Sequence, residues 1–349
     1  MPLRFGVLLN AEYSATELIE LGRLCEALGY DQLWYTDVRF LRECYVGLAA
    51  LAAHTTRIQL GPGVTDPYSR HPAITAATIA TFDELSGGRA LLGLGVGGTG
   101  FRELGIAAPL PVAALREAVL VVRRLLRGEE VTFEGKVVSL AAGRLQFTPP
   151  RSTVPIYFAT HGAQVTRLAG EVADGVLLAN ILVPSALDFY MEGLREGAAR
   201  AGRSLDAVDV SLRFEAAIAE DETAAFGAMR RRVAARLVAG YPHWEHLERL
   251  GVTVPPAFAE IAARKDPRLV SEAAALLPAA AVERTVLFGR PEHVAAQIAP
   301  VLRPEVSRIT VRPHAVPGQS VGAVLRAFVE DVVPRLRDPV SQASAAARP

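Results

Sequence analysis

Apolar and polar positions along this chain alternate between two periods. Short apolar runs bounded by glycine, proline or charge recur between longer stretches whose apolar residues return every three or four positions, the alternation of buried strands with amphipathic helices. Arg4–Leu9 reads as a first strand, with Asn10, Ala11 and Glu12 at its end. Thr16–Leu28 follows as a helix on Leu18, Leu21, Leu24, Cys25 and Leu28, closed by Gly29. Gln32–Thr36 is the second strand and delivers Asp37, and Tyr45–His54 is its helix. Ile58–Thr65 is the third strand. Pro72 opens the next helix, where its missing N–H costs nothing. Ile74, Ala77, Thr78, Phe82 and Leu85 mark that helix's apolar face, and Ser86-Gly87-Gly88-Arg89 stops it. Ala90–Val96 is the fourth strand.

The rhythm continues through helix Leu110–Arg127, with Phe101–Pro111 read as loop, then breaks at a short β excursion, Val131–Phe147. It resumes with strand Pro155–Thr160, helix Gly162–Val172, strand Val176–Asn180, helix Ser185–Ala201, strand Val208–Ile218 and helix Thr223–Ala239. Tyr241–Glu283 is irregular and partly helical, an insertion before the last strand. Arg284–Phe288 reads as a short strand, Pro291–Leu302 as a helix, Arg308–Val311 as the last strand and Val321–Leu336 as its helix. Eight strands each followed by a helix predict an α/β fold, the (β/α)8 TIM barrel, as one domain over 1–337 with a frayed tail over 338–349. A doubly wound sheet is the rival, and it requires the strand order to reverse.

Composition narrows the function. Lys plus Arg number 37 and Asp plus Glu 37, so formal charge is zero, and the longest basic run is Arg230-Arg231-Arg232; this disfavours a nucleic-acid surface. Cys25 and Cys44 form no CxxC pair, which suits a reducing cytoplasm. Met1–Asn10 lacks the pattern of a signal peptide, and no apolar run reaches the roughly 18 residues of a membrane span. Only Lys136 and Lys265 are lysine and neither ends a strand, so a Schiff-base mechanism is excluded. With no HxH or HExxH, a metal site is not expected.

Strand C-terminal ends carry the ligand sites of α/β barrels. Gly63-Val64-Thr65-Asp66-Pro67 and Gly95-Val96-Gly97-Gly98 stand at two such ends, where glycine lets a flat ligand or a phosphate approach the backbone. Gly93, Gly95 and Gly98, with Glu117 further on, spell a dinucleotide fingerprint, discounted because no helix follows Gly98 directly. Thr160-His161-Gly162-Ala163-Gln164 precedes a helix whose free N–H groups suit phosphate, unless Thr160 simply caps it. Ionisable groups at strand ends are Asp37, His161, Arg213, Glu215, Arg312 and His314. His71, before Pro72, reads as structural.

GPGVTDPYSRHPAITAATIATFDELSGGRALLGLGVGG and PIYFATHGAQVTRLAGEVADGVLLAN resemble the bacterial-luciferase-like oxidoreductases, in particular the branch of the methylenetetrahydromethanopterin reductases that use the deazaflavin coenzyme F420. The resemblance implies a cytoplasmic, usually dimeric barrel with the cofactor across the strands' C-terminal ends. It maps a bulge with a non-proline cis peptide onto Gly63-Val64, with Thr65 and Asp66 beside it. It maps the aspartate near the ring onto Asp37, the flanking loop onto Val96 and Gly97, and the phosphate loop onto His161, Gly162, Ala163, Gln164 and Val165; Thr160 and Asn180, at the ends of their strands, are further cofactor-binding candidates. Val38 stands where many relatives have histidine, and Gly98 where the sugar-phosphate dehydrogenases have glutamate, so neither acid–base pair carries over. Asp66 stands where the reductase branch often has asparagine.

The expectation is F420-dependent hydride transfer to or from a small organic substrate, with Asp37 at the ring's reactive edge and Glu215 and His314 as further catalytic acids or bases. One alternative is an FMN-dependent monooxygenase fed by a partner reductase. Another is a non-catalytic flavin-binding barrel.

Overall fold

A computed structural model describes residues 3–337; the expected tail over 338–349 lies outside them. The strands are β1 (Arg4–Leu9), β2 (Gln32–Tyr35), β3 (Gln59–Pro62), β4 (Leu92–Leu94), β5 (Val131–Glu134), β6 (Ser139–Gly143), β7 (Ile156–Thr160), β8 (Gly175–Ala179), β9 (Asp209–Ile218), β10 (Leu287–Gly289) and β11 (Val306–Pro313). Their alternation with helices is that of a (β/α)8 barrel whose eight strands are β1–β4, β7, β8, β9 and β11. By compactness the described residues fall into an N-terminal unit, 4–178 with 190–211, and a C-terminal unit, mainly 179–189 with 212–337.

In the N-terminal unit β1 pairs with β2, β2 with β3, β4 with β7 and β7 with β8, all parallel. Parallel bridges Leu60–Ala90 and Thr65–Leu94 join β3 to β4. Neighbours in space are therefore neighbours in sequence, with no reversal, which removes the doubly wound rival. Leu8, Trp34, Leu91, Tyr157 and Leu177 pack together as a core cluster. Trp34 meets Tyr157 edge-on, ring centroids 5.1 Å apart. In the C-terminal unit β9 pairs parallel with β10, and the His314 N–H at the end of β11 donates to Ala216 O of β9 at 2.8 Å. The insertion forms four short helices, Glu245–Arg249, Pro256–Ala263, Val270–Leu276 and Ala279–Glu283.

Helix Pro72–Ser86 begins and ends where its proline and glycines place it, with Gly87 at φ +66°. Its buried face differs from the predicted one. Ile74 and Leu85 are exposed, and Thr75, Ala76, Ile79, Phe82 and Asp83 point inward. Asp83 is inward because Arg151, remote in sequence, pairs with it (Nε to Oδ2 2.7 Å). Phe101–Leu104, expected as loop, is a short helix between glycines with positive φ at Gly100 and Gly105. The β excursion is the antiparallel hairpin β5–β6. Glu117 accepts the N–H groups of Lys136, Val137 and Val138 at 2.8–3.0 Å in that hairpin, so it is not a ribose ligand. His71 is structural: Nδ1 accepts from Ala73 N–H at 3.1 Å, and Nε2 lies 3.0 Å from Ser139 O.

Arg89 anchors the approach to the β3–β4 region. Its Nε donates to Ser86 O (2.7 Å), its Nη1 to Thr55 Oγ1 and Ile58 O, and its Nη2 to Ala52 O and Thr55 O. All five guanidinium donors are used, a pattern lysine cannot supply. Arg89→Lys is expected to cost about 2–3 kcal/mol of stability, read from urea unfolding midpoints.

Candidate functional site

The strand that ends at Pro62 continues alongside β4 with one residue too many. Between the bridges Leu60–Ala90 and Thr65–Leu94 the first segment advances five positions and the second four. That extra residue is a β-bulge, a device that re-aims side chains next to sites. The Gly63–Val64 peptide within it is cis. Thr65 N–H donates to Gly93 O (3.0 Å), and Gly95 N–H donates back to Thr65 O (2.9 Å). The main chains are close because the glycines allow it. A Cβ on Gly63 would stand 2.7 Å from Trp34 Cβ, and one on Gly95 2.6 Å from Val64 Cγ2. Val64 is half-buried, and Val96, next along, is exposed. The Thr65 hydroxyl is buried without a hydrogen-bond partner.

Asp66 is fully buried and does not face outward from this surface. Its carboxylate accepts from Tyr68 N–H (2.9 Å), Ser69 N–H (2.7 Å) and Ser69 Oγ (2.8 Å), and it pairs with Arg39. Arg39 also donates to Asp37 O (2.9 Å) and Ser69 Oγ (2.7 Å), and its guanidinium lies 5.0 Å from the centroid of Phe101. One arginine thus ties together the loops after β2, β3 and β4. Desolvation lowers the Arg39 pKa, with the nearby Asp37 acting against it. Gly97, at φ +69°, passes close to Phe101 and Asp66. Asp37 itself is half-buried at the end of β2.

After β7, Thr160 Oγ1 accepts from Gly162 N–H at 2.9 Å instead of capping the helix. The N-cap is Gly162, no side chain caps the first turn, and the first helical bond runs from Thr166 N–H to Gly162 O at 2.9 Å. The N–H groups of Ala163, Gln164 and Val165 precede that bond, the arrangement that suits an anion at a helix start. Tyr190 Oη holds the loop by donating to His161 O at 2.8 Å.

The bulge, the β4 glycines and this helix start all belong to the N-terminal unit; Asn180, Glu215 and His314 belong to the other. There Asn180 adopts φ +59°, its N–H donates to Arg213 O (2.8 Å), and its Oδ1 accepts from Glu215 N–H (3.4 Å). Glu215 is 1% exposed and accepts from Arg232 Nε (2.8 Å), Arg236 Nη1 (2.8 Å) and Arg312 Nη1 (3.4 Å). Burial opposes its charge, but Arg236, Arg232, Arg312 and Arg213 outweigh burial and hold its pKa well below the ordinary carboxylate range. Sequence reading missed Arg39, Arg232 and Arg236. Arg39 had a signal, since it lies two residues past Asp37. The other two sit four apart in helix Glu222–Gly240, where their pairing with a strand carboxylate carries no local pattern.

The N-terminal unit thus combines a bulged third strand, a fourth strand followed by the exposed Gly97 and Gly98, and a helix start without a side-chain cap. The luciferase-like monooxygenase family profile matches residues 1–306, and the chain belongs to that family. It is 37% identical over 241 residues to the 5,10-methylenetetrahydromethanopterin reductase of Archaeoglobus fulgidus, covering 69% of this chain and 71% of that one. It is 32% identical to the reductase of the same name from Methanopyrus kandleri, covering 96% and 99%. The solved structure of the coenzyme F420-dependent tetrahydromethanopterin reductase from Methanopyrus kandleri superposes with a TM-score of 0.85 at 30% identity, over 97% of this chain and all of that one.

Proposed function

We propose that the protein is a coenzyme F420-dependent oxidoreductase that moves a hydride between the deazaflavin and a small organic substrate. One observation carries the reading: the bulge at Gly63–Val64, the bare β4 end and the uncapped N–H groups of Ala163–Val165 lie in a single compact unit. The likeness to reductases named for F420 and for a methanopterin supports it. The residues fit such a group. Gly97 and Gly98 leave exposed main chain without side chain just past β4, the Thr65 hydroxyl is an unused polar atom, and the helix start takes a phosphate.

When bound, the deazaflavin supplies hydride chemistry at its ring. The protein's share is binding and orientation. Val64 and Val96 offer apolar contact to a ring and shed water from it. Asp37 serves as the polar group at the reactive edge, its main chain fixed by Arg39 Nη1. Asp66 acts as a positioning residue for the three loops. Glu215, held ionised by arginines, is assigned to positioning too, because a useful acid or base has a pKa near the working pH. The chain works in the cytoplasm as a homodimer; its two cysteines, Cys25 and Cys44, are free and buried. Among the described residues no helix is long and apolar enough to cross a membrane.

Fluorescence titration of the purified protein with F420 and with FMN tests the reading. Saturable F420 binding without FMN binding is expected. FMN binding alone overturns it in favour of a monooxygenase, and binding of neither overturns it outright. Asp37→Ala is expected to cut hydride transfer at least about 100-fold, general acid–base groups contributing about 10²–10⁴, with F420 affinity unchanged. Unaltered stopped-flow reduction rates would remove Asp37 from the mechanism.

A further inference from the structure

The C-terminal unit holds a charged cluster around Glu215. Arg213 and Glu215 alternate on β9 and so share a face. Three guanidiniums, from Arg232, Arg236 and Arg312, already occupy the Glu215 carboxylate, whose two oxygens are both taken. Arg213 adds a fourth positive charge. Burial lowers its pKa to about 10, with Glu215 resisting, so it stays cationic near neutrality. His314 is brought down to about 4 by burial, with Glu215 resisting and the arginines adding to the fall, so its imidazole is neutral.

Two nitrogens of this cluster are buried and without a hydrogen-bond partner: Arg213 Nη1 and His314 Nε2. Nε2 lies 3.9 Å from Glu215 Oε1, beyond hydrogen-bond reach. A buried polar nitrogen left unpaired calls for an explanation, and a missing ligand is a physical one. The side chains of Arg312 and His314 are 14% and 21% exposed, so a small ligand has access. Excess positive charge, orphaned nitrogens and partial access together describe an oxyanion site, since guanidinium matches carboxylate and phosphate.

We propose that Arg213 and His314, with Arg312 beside them, bind an anionic oxygen group, a carboxylate or phosphate, on the substrate. Glu215 then keeps the surrounding arginines in place and leaves the orphaned nitrogens to the ligand. The assignment of the anion to the substrate rests on the oxidoreductase reading; the anion site stands on the cluster itself.

Calorimetric titration with inorganic phosphate and with succinate, with and without saturating F420, tests it. Wild-type protein is expected to bind at least one of the two anions with a Kd of about 1 mM or tighter. Arg213→Met is expected to weaken that binding at least 10-fold while F420 affinity, read by fluorescence, stays the same. A merely structural role for Arg213 would lower the melting temperature and leave the anion affinity alone, which overturns the proposal. So does the absence of anion binding to the wild type. Loss of anion binding when F420 is added assigns the site to the cofactor's own acidic tail and overturns the substrate assignment. If F420 fails to bind while phosphate binds, the cofactor reading falls and the anion site survives. Should Arg213→Met not fold, the wild-type His314 ring resonances decide: they are expected to shift with added phosphate, and their constancy overturns the proposal.

Discussion

Glu215→Ala is expected to lower the unfolding free energy by about 3–5 kcal/mol, the usual cost of removing one member of a buried ion cluster. Glu215 is 1% exposed, and three arginines donate to it from helix Glu222–Gly240 and from β11. Without the carboxylate, those guanidiniums keep their desolvation and lose their counter-charge. Glu215→Gln retains the shape but not the charge, so most of the loss should remain. The pH dependence has a definite sign. The folded-state pKa is depressed, first against burial and then by the four arginines. Its contribution is therefore full above the unfolded value of about 4.3 and is lost as pH falls through the folded value. Urea unfolding at pH 7 should separate wild type from Glu215→Ala by the full amount, and the two curves should begin to approach each other below about pH 4 and meet only as pH falls through the much lower folded-state value. A difference under about 1 kcal/mol at pH 7 would mean that the cluster is a solvated surface network.

Gly162→Asp is expected to raise stability and damage cofactor binding at once. Gly162 is the N-cap of helix Ala163–Val172, and a Cβ there meets nothing nearer than Thr160 Oγ1 at 3.7 Å. Aspartate is a better cap than glycine by a few tenths of a kcal/mol. The same carboxylate would occupy the N–H groups assigned to phosphate. Like charges about 5 Å apart at an effective dielectric of about 20 repel by about 3 kcal/mol, a weakening of roughly 100-fold in F420 affinity. Fluorescence titration and thermal melting of one sample read both effects. Unchanged affinity would move the phosphate away from this helix.

The two effects differ in how far sequence foreshadows them. Gly162 and the β4 glycines were visible because a glycine at a strand end already says that main chain is left bare. The Gly63–Val64 bulge was visible through family resemblance, and its register slip shows only when Leu60 is seen opposite Ala90 and Thr65 opposite Leu94. Pairings between residues far apart in the chain were not legible. Asp66 read as a ligand-facing acid until Arg39 and Ser69 claimed it. Ile74 and Leu85 read as core, yet both are exposed while Asp83, paired with Arg151, is buried. The discounted fingerprint leaves Glu117 without a ligand role, and its carboxylate serves a hairpin turn. In each case a charge acquired a buried partner that local periodicity does not encode.

The most direct test is a crystal structure of the protein grown with F420. The deazaflavin ring is expected against Val64, Val96 and Gly97, with its phosphate hydrogen-bonded to the N–H groups of Ala163, Gln164 or Val165. A ring bound elsewhere, or a phosphate that avoids that helix start, would contradict it.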